Sequence, residues 1–202
     1  MFQRIALALF LLITAAVVAI LALASTRPGP YHVERMVTTH ATPSTVFAIV
    51  NDLNRYHEWS PWQRLDPAMR STVAGSGPGV GSSYSWEGNN DVGEGRMSIT
   101  ESVPTNHIRM KLEFMKPFAA VCDVHFRILP EGDGSRVTWA IDGTHNFVGK
   151  VMSLFVNMDT MLGKDFDSGL ANLKRVSEAP PAAATGVPAD SAVAETARAA
   201  KH

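Results

Sequence analysis

The sequence is short of cysteine and has no excess of charge of either sign. Cys122 is the only cysteine, so no disulfide can form within the chain and a disulfide framework is excluded. Lys and Arg number 18 and Asp and Glu number 19, which leaves a formal net charge of −1. Because binding to a phosphate backbone relies on accumulated positive charge, this balance gives no reason to expect a nucleic-acid partner.

The spacings that metal and nucleotide sites require are also missing. The seven histidines and the single cysteine do not fall at metal-ligand spacing. The glycine-rich run at 75–81 is followed by a strand pattern, whereas a dinucleotide-binding loop opens a helix. The Gly-x-Ser-x-Gly motif of a hydrolase nucleophile is absent. We therefore expect no metal and no cofactor.

One long hydrophobic run stands at the N-terminus, after a short flank at 1–4. Ile5–Ala24 carries no charged residue and is long enough to span a bilayer as a helix. The sequence is compatible with a retained single-pass anchor, which we favour because the run exceeds a usual signal h-region, or with a signal sequence cleaved after 22–24. Arg4 on one side and Arg27 and Arg35 on the other leave the orientation nearly undetermined. We expect an inner-membrane type of anchor with the domain outside the cytoplasm; cleavage would instead give a secreted or periplasmic protein.

After a linker at 25–30, the pattern predicts one strand and two short helical segments. Tyr31–Thr39 alternates weakly and predicts a strand. Thr42 suits an N-cap and Pro43 the first helical position, which predicts a helix beginning there. A second short helix or turn is expected over 53–59 and should end before Pro61, because proline resists helix continuation.

From residue 84 onward, apolar and polar residues alternate with period two. Turn-forming clusters at 75–79, 88–91 and 131–134 separate the alternating runs, and the clearest run is 108–114. This pattern predicts an antiparallel meander with one dry and one wet face. The residues whose parity places them on the dry face are Tyr84, Trp86, Met97, Ile99, Met110, Leu112, Phe114, Phe126 and Trp139.

The last apolar pattern has helical period and runs from about Phe147 to Ser177. Its stripe consists of Val148, Val151, Met152, Phe155, Leu162, Phe166, Leu170 and Leu173. The spacing predicts one long amphipathic helix that packs on the sheet. We therefore place the folded domain at 31–177 and expect the Ala- and Pro-rich tail at 178–202 to be disordered.

Four segments carry a resemblance to a known family: Thr42–Phe47, Asp52–Trp62, Gly93–Glu101 and Asp165–Lys174. In this order they resemble the polyketide cyclase/dehydrase and lipid-transport-like family (SRPBCC) of the START/Bet v 1-like superfamily. The resemblance implies an α+β helix-grip fold. In that fold a curved antiparallel sheet of about seven strands wraps around a long C-terminal helix, with two short helices alongside. The N-terminal transmembrane helix lies outside the resemblance. Family members include ligand carriers, cyclases, dehydratases and co-chaperones with no common catalytic set, so no catalytic role transfers to this chain.

Strand parity and the helical stripe together predict a cavity between sheet and helix. The residues we expect to contact a ligand are Trp59, Trp62, Tyr84, Trp86, Glu101, Met110, Phe114, Phe126, Trp139 and Phe155. Such an apolar and aromatic lining suits a hydrophobic ligand. The alternative is that these side chains only pack against one another.

Two carboxylates are the candidates for chemistry. Glu101 shares the parity of the dry face, and a buried carboxylate needs a partner or a shifted pKa and suits general acid/base catalysis. The alternatives are a β-bulge that turns it outward or pairing with Arg96 or Arg109. Asp159 falls within the helical stripe and would join Glu101 in the cavity, unless it caps or bonds nearby backbone. His57 lies near Trp59 and is a candidate for orienting a ligand.

Three functions remain open from the sequence. The first is a membrane-anchored START-like domain that binds a small hydrophobic molecule or lipid in an internal cavity. The second is a cyclase- or dehydratase-type enzyme that uses a cavity carboxylate. The third is a membrane-proximal protein-interaction module.

Overall fold

The computed structural model describes residues 2–180, which form an N-terminal helix followed by an α+β domain. The helices are α1 (Phe2–Thr26), α2 (Pro43–Val50), α3 (Tyr56–Trp59), α4 (Phe147–Met152) and α5 (Met158–Glu178), with 3-10 turns at Leu53–Arg55 and Trp62–Arg64. The strands are β1 (Pro30–Thr39), β2 (Arg70–Ala74), β3 (Ser83–Glu87), β4 (Glu94–Val103), β5 (His107–Lys116), β6 (Ala120–Glu131) and β7 (Gly134–Thr144).

The seven strands form one sheet in the order β1-β7-β6-β5-β4-β3-β2, with antiparallel pairing throughout. From β2 to β7 each strand pairs with the next in sequence, and β1 returns to the edge beside β7. Helix α5 packs mainly on β1 and on α3. The predicted architecture of an antiparallel sheet closed by a long C-terminal helix is confirmed. The pattern did not indicate β2, because Val73 is its only large apolar residue.

Helix α2 begins where the sequence predicts. The Thr42 hydroxyl accepts a hydrogen bond from the backbone N–H of Thr45 at 3.3 Å, and Pro43 occupies the first helical position. A proline costs nothing there, since its missing N–H lies among the donors that have no partner within the helix. Val46, Ile49 and Val50 are then buried along one face.

The prediction of one continuous helix from 147 to 177 is wrong. Helix α4 ends at Met152, and α5 begins only at Met158. Asn157 has extended backbone, and its side-chain oxygen accepts from the N–H of Thr160 at 3.1 Å, so it starts a new helix as an N-cap. The apolar spacing continues across the break, which is why periodicity alone did not show it.

Helix α5 approaches the Trp139 side chain of β7 closely at Gly169. Phe166, Leu170 and Leu173 are each 1 % exposed and form its buried stripe. Burial of such side chains is worth roughly 1.5–3 kcal/mol each. A Cβ atom at Gly169 would lie 2.6 Å from Cζ3 of Trp139, so only glycine permits this separation.

Polar contacts attach both ends of α5 to β1. At the start of the helix, the Arg35 guanidinium donates to both carboxylate oxygens of Asp159, at 2.9 and 3.0 Å. At its end, Glu178 Oε1 accepts from the His40 N–H at 2.8 Å and from the Thr39 hydroxyl at 3.0 Å. The register of the helix against the edge strand is therefore fixed at two points.

Helix α1 is long and apolar enough to cross a membrane, by length and composition. None of its most apolar 18-residue stretch is buried. Ala24, near its C-terminal end, is the one buried residue of Phe2–Thr26, and the helix contacts α4. The one buried position of α1 thus lies where the apolar run ends.

The predicted tail falls mostly outside the described residues. Glu178 completes α5, and the chain is described for two further residues, Ala179 and Pro180. The boundaries predicted for the tail and for the folded domain stay predictions.

Candidate ligand-binding cavity

A cavity of about 320 Å³ lies between the sheet and α5. Seven aromatic side chains that the sequence predicted for this site contribute to its wall: Trp59, Trp62, Tyr84, Trp86, Phe114, Phe126 and Trp139. The volume lies at the lower end of the range for small-molecule sites. The wall is mainly apolar, so the space favours a compact hydrophobic ligand.

Trp139 is the centre of the aromatic wall. Its ring stacks on Phe166 of α5 with centroids 4.2 Å apart, and on Phe126 at 5.1 Å. Trp59 and Trp62 meet it edge-on at 5.5 and 5.7 Å. Aromatic pairs in these geometries contribute about 0.5–1.5 kcal/mol each beyond area burial. The rings of sheet, helix and short segments therefore hold one another in place and preset the shape of the cavity.

A second aromatic group lies on β3 and β5. Trp86 stands between Tyr84 and Phe114, with centroid distances of 6.2 and 5.9 Å. Its indole N–H donates to the carbonyl of Val92 at 3.0 Å. The Trp86 indole lies over Gly95 on β4. A Cβ atom at position 95 would be 2.5 Å from the indole ring. Because Gly95 has no side chain, the Trp86 indole can pack directly against the sheet.

Three polar atoms of the wall lack a hydrogen-bond partner among the described residues: Trp59 Nε1, Tyr84 OH and Trp139 Nε1. The three residues are 1 %, 4 % and 3 % exposed. Burial raises the pKa of Tyr84, and the nearby Ser71 side chain opposes this rise without reaching hydrogen-bond geometry. A buried donor left without an acceptor costs roughly 1–3 kcal/mol. The three atoms are fully buried, so an acceptor of a ligand would reach them only after a neighbouring side chain moves.

The cavity opens at one end of the sheet. Among its wall residues, Leu65, Asp91 and Met161 are exposed. They belong to the segment before β2, the loop between β3 and β4, and the first turn of α5. A ligand in the cavity would meet solvent or a neighbouring surface at this opening.

Three predicted positions need correction. Met110 is fully buried but packs in the core without lining the cavity. Phe155 lies in the connection between α4 and α5 and is 71 % exposed, because the helix break turns it away from the sheet. His57 is exposed, and its Nδ1 lies 2.8 Å from the Asn54 carbonyl oxygen, so it does not reach the cavity.

Glu101 does not point into the cavity. The pairing of β4 with β5 shifts register between Ile99 and Glu101, which breaks the alternation on which the inward prediction rested. The Glu101 side chain is 46 % exposed, and its Oε1 lies 3.6 Å from Nδ1 of His107. The alternative of a bulge that turns this carboxylate outward is the one that the structure shows.

Asp159 is also outside the cavity. Its side chain is 58 % exposed and forms the two-point contact with Arg35 described above. The hydrogen bond from the Arg35 guanidinium lowers the pKa of Asp159. The residue is therefore an ionised attachment of α5 to β1, and no pair with Glu101 exists.

Sequence reasoning missed further wall residues, some in regular helices and strands and some in irregular segments. They include Tyr31, Tyr56, Leu65, Met69, Val92 and Asp165. Tyr56 and Trp59 are three residues apart on α3, a spacing that places both on one helical face and was available as an indication. Leu65, Met69 and Val92 have no periodic neighbours, so no pattern marked them.

The fold and cavity together define a helix-grip protein. Over residues 30–178 the chain matches the family described as polyketide cyclase/dehydrase and lipid transport. This match covers well over half of the chain, and the chain therefore belongs to that family. No curated protein matches the chain in sequence.

Solved structures with the same fold are distant in sequence. Protein CV1439 from Chromobacterium violaceum is 14% identical with a TM-score of 0.55, over 74% of this chain and 98% of that one. The Aha1 dimer structure from Colwellia psychrerythraea is 14% identical with a TM-score of 0.53, over 73% and 96%. The di-domain ARO/CYC BexL from the BE-7585A biosynthetic pathway is 14% identical with a TM-score of 0.56, over 79% of this chain. Our chain spans about half, 54%, of BexL. Likeness at this level establishes the fold alone.

Proposed function

We propose that this protein binds a small hydrophobic molecule or lipid in the cavity between its sheet and α5, while α1 holds it at a membrane. The observation that carries the proposal is the aromatic-walled space of about 320 Å³. Well-packed interiors leave few voids larger than a water molecule, so a space of this size in a domain core calls for an occupant. The family description, which includes lipid transport, supports the same class of ligand.

The wall also suggests how a ligand would be oriented. Transfer of each CH₂ group from water into the cavity contributes about 0.8 kcal/mol, which supplies affinity without direction. We propose that the buried donors of Trp59, Tyr84 and Trp139 supply the direction, once a side-chain shift on binding brings them into contact with an acceptor of the ligand. The best fit is a ligand with an apolar body and at least one carbonyl, hydroxyl or ether oxygen.

Membrane attachment rests on α1. Its length and composition suit a bilayer span, and none of its most apolar 18-residue stretch is buried. A signal sequence passes the same test of length and composition. The anchored form is the one we propose, with the side of the membrane left open.

A cyclase- or dehydratase-type enzyme is the second candidate, and one observation favours it. Asp165, partly buried on α5, is a carboxylate of the cavity wall. The sequence analysis predicts Glu101 and Asp159 as the carboxylates of the cavity, but Asp165 is the one that lies on α5 in its wall. Catalysis would require Asp165 to exchange a proton with a bound substrate. Replacement of Asp165 by Asn would then abolish turnover and leave binding intact.

The proposal is tested by filling the cavity with a larger side chain and measuring whether the bound compound is lost. Full-length protein is purified in mild detergent, and lipids and small molecules bound to it are identified by mass spectrometry. Leu112 lines the cavity and is only partly buried, so Leu112→Trp should occupy the space, whereas Leu112→Met nearly conserves volume.

We expect wild type and Leu112→Met to retain the same compound and Leu112→Trp to lose at least tenfold of it. Thermal unfolding of all three confirms that each is folded. Undiminished binding by a folded Leu112→Trp protein would place the ligand elsewhere and refute the proposal.

A further inference from the structure

The junction between α1 and the domain places one end of the sheet beside the membrane helix. Only Arg27–Gly29 separate α1 from β1. Four residue steps at ~3.5 Å each reach no further than about 14 Å. The Gly29 carbonyl accepts from the N–H of His145 at 2.8 Å, which joins the linker to the segment that follows β7.

Strand pairing shows which other strand ends lie at the same end of the sheet as the junction with α1. Pro30 pairs with Thr144, and the end of β7 adjoins the start of β6, which adjoins the end of β5 and the start of β4. We call this edge the proximal end. The loops 88–93 and 117–119 and the segment 145–157 all lie there. The cavity opening, with Leu65, Asp91 and Met161, is at the same end.

Exposed large apolar side chains concentrate at the proximal end. In and after α4 they are Phe147 (51 %), Val148 (48 %), Met152 (50 %) and Phe155 (71 %). In the β5–β6 hairpin they are Met115 (46 %), Phe118 (59 %) and Val121 (58 %). Apolar side chains exposed together in this way mark a surface that contacts a partner or a membrane.

The position of α4 along α1 indicates that a membrane contacts this apolar surface. Ala24 is the buried residue of α1, and it is the last residue of the hydrophobic run Ile5–Ala24. When that run fills the hydrocarbon core, α4 lies at the depth of the headgroups. Segment 145–157 has no Asp or Glu and a single Lys150, a composition suited to the interface of a bilayer with anionic lipids.

We infer that the proximal end docks onto the bilayer through segment 147–155 and the 115–121 hairpin, so that the cavity opens towards lipid. This inference rests on the proposed function, since it requires α1 in a membrane. A second, more polar pocket adjoins the cavity near the start of β1, with Arg27, His32 and Phe155 in its wall. Tyr31 and Met158 line both spaces and form the partition between them.

Depth-dependent fluorescence quenching tests the docking. The full-length chain, in a Cys122→Ser background, receives a single NBD-labelled cysteine and is reconstituted into phospholipid nanodiscs. The reporters are Phe155→Cys and Phe118→Cys. The matched control is Val80→Cys, which is 63 % exposed in the loop at the opposite end of the sheet. Leu12→Cys in α1 reports on the anchor itself.

We expect the probes at 155 and 118 to emit at shorter wavelength than the probe at 80, and lipid-borne nitroxides to quench them at least threefold more strongly. If the probe at position 12 is quenched but the probes at 155 and 118 behave like the probe at 80, docking is refuted and the membrane anchor is supported. Probes at 155 and 118 shielded from both water and lipid nitroxides would mean that a second copy or a partner protein covers the surface, which also refutes it. An unquenched probe at 12 would refute the anchor and the docking together.

Discussion

Trp139 of β7 and Phe166 of α5 stack face to face, with centroids 4.2 Å apart and ring planes 6° apart. This contact joins β7, the neighbour of the edge strand β1, to the helix that closes the sheet, at the wall of the cavity. Gly169 follows Phe166 by one turn of α5 and lies against the same indole. The position of the helix, and with it the width of the cavity, is therefore set at Trp139.

Gly169→Ala should destabilise the domain. The added methyl would lie 2.6 Å from Trp139 and 3.1 Å from Cδ of Pro61, so the helix must shift or the indole must rotate. Overpacking of this kind costs about 1–3 kcal/mol, which outweighs the gain in helix propensity from Gly to Ala of up to about 1 kcal/mol. Urea unfolding measures the change. Ser168→Ala, on the exposed face of the same helix, is the control and should lie within about 0.5 kcal/mol of wild type.

Tyr84→Phe should separate stability from binding. Without ligand, the variant removes a buried hydroxyl that lacks a partner among the described residues, so stability should hold or rise by up to about 1 kcal/mol. With the compound found by mass spectrometry, affinity should fall about threefold to tenfold, because a donor to the ligand is lost. Thermal unfolding and titration calorimetry measure the two effects. A fall in stability of the ligand-free protein would show that the hydroxyl has a partner inside the fold.

Glu101→Gln should change neither binding nor stability. The carboxylate is 46 % exposed beside His107 and outside the cavity, and exposed substitutions of this kind stay within about 0.5 kcal/mol. Calorimetric titration should give affinities for variant and wild type within twofold. A tenfold loss would return Glu101 to the binding site and contradict the outward geometry.

The attachment of α5 to β1 should weaken in acid. The pKa of Asp159 is lowered chiefly by the hydrogen bond from Arg35, and that of Glu178 chiefly by the hydrogen bond from the His40 backbone N–H. Both carboxylates have a lower pKa in the folded protein than in the unfolded chain. Their contribution is therefore complete above the unfolded values, at about pH 4–4.5, and is lost as pH falls through the lower folded values.

The measurement compares urea midpoints of wild type and the double variant Asp159→Asn/Glu178→Gln from pH 7 to pH 3. Wild type should be the more stable at pH 7, and the difference should shrink below pH 4. A difference that stays constant with pH would mean that packing, and not charge, holds these helix ends.

The aromatic wall was predictable because strand parity is a property of the sequence itself. Tyr84, Trp86, Phe126 and Trp139 alternate with polar residues in regular strands, and the structure places all four in the cavity wall. Glu101 has the same parity but follows a register shift after Ile99, which depends on pairing with β5. Such a shift arises between strands, so the sequence of one strand does not reveal it.

The helix break had a similar cause. The apolar spacing from Val148 to Leu173 is continuous, and it does not distinguish one helix from two in line. Asn157, the residue that starts α5, is a strong N-cap type, but it also occurs inside helices. The consequence for the site was that Phe155 and Asp159 were both predicted inside the cavity.

Under the proposed function, the three-residue connection Arg27–Gly29 would restrict how this protein carries a ligand. A domain on so short a tether cannot diffuse across an aqueous gap with its cargo, as free shuttle proteins do. If α1 is retained in a membrane as proposed, exchange would be confined to molecules in the adjacent leaflet or to a recipient that comes to the membrane surface.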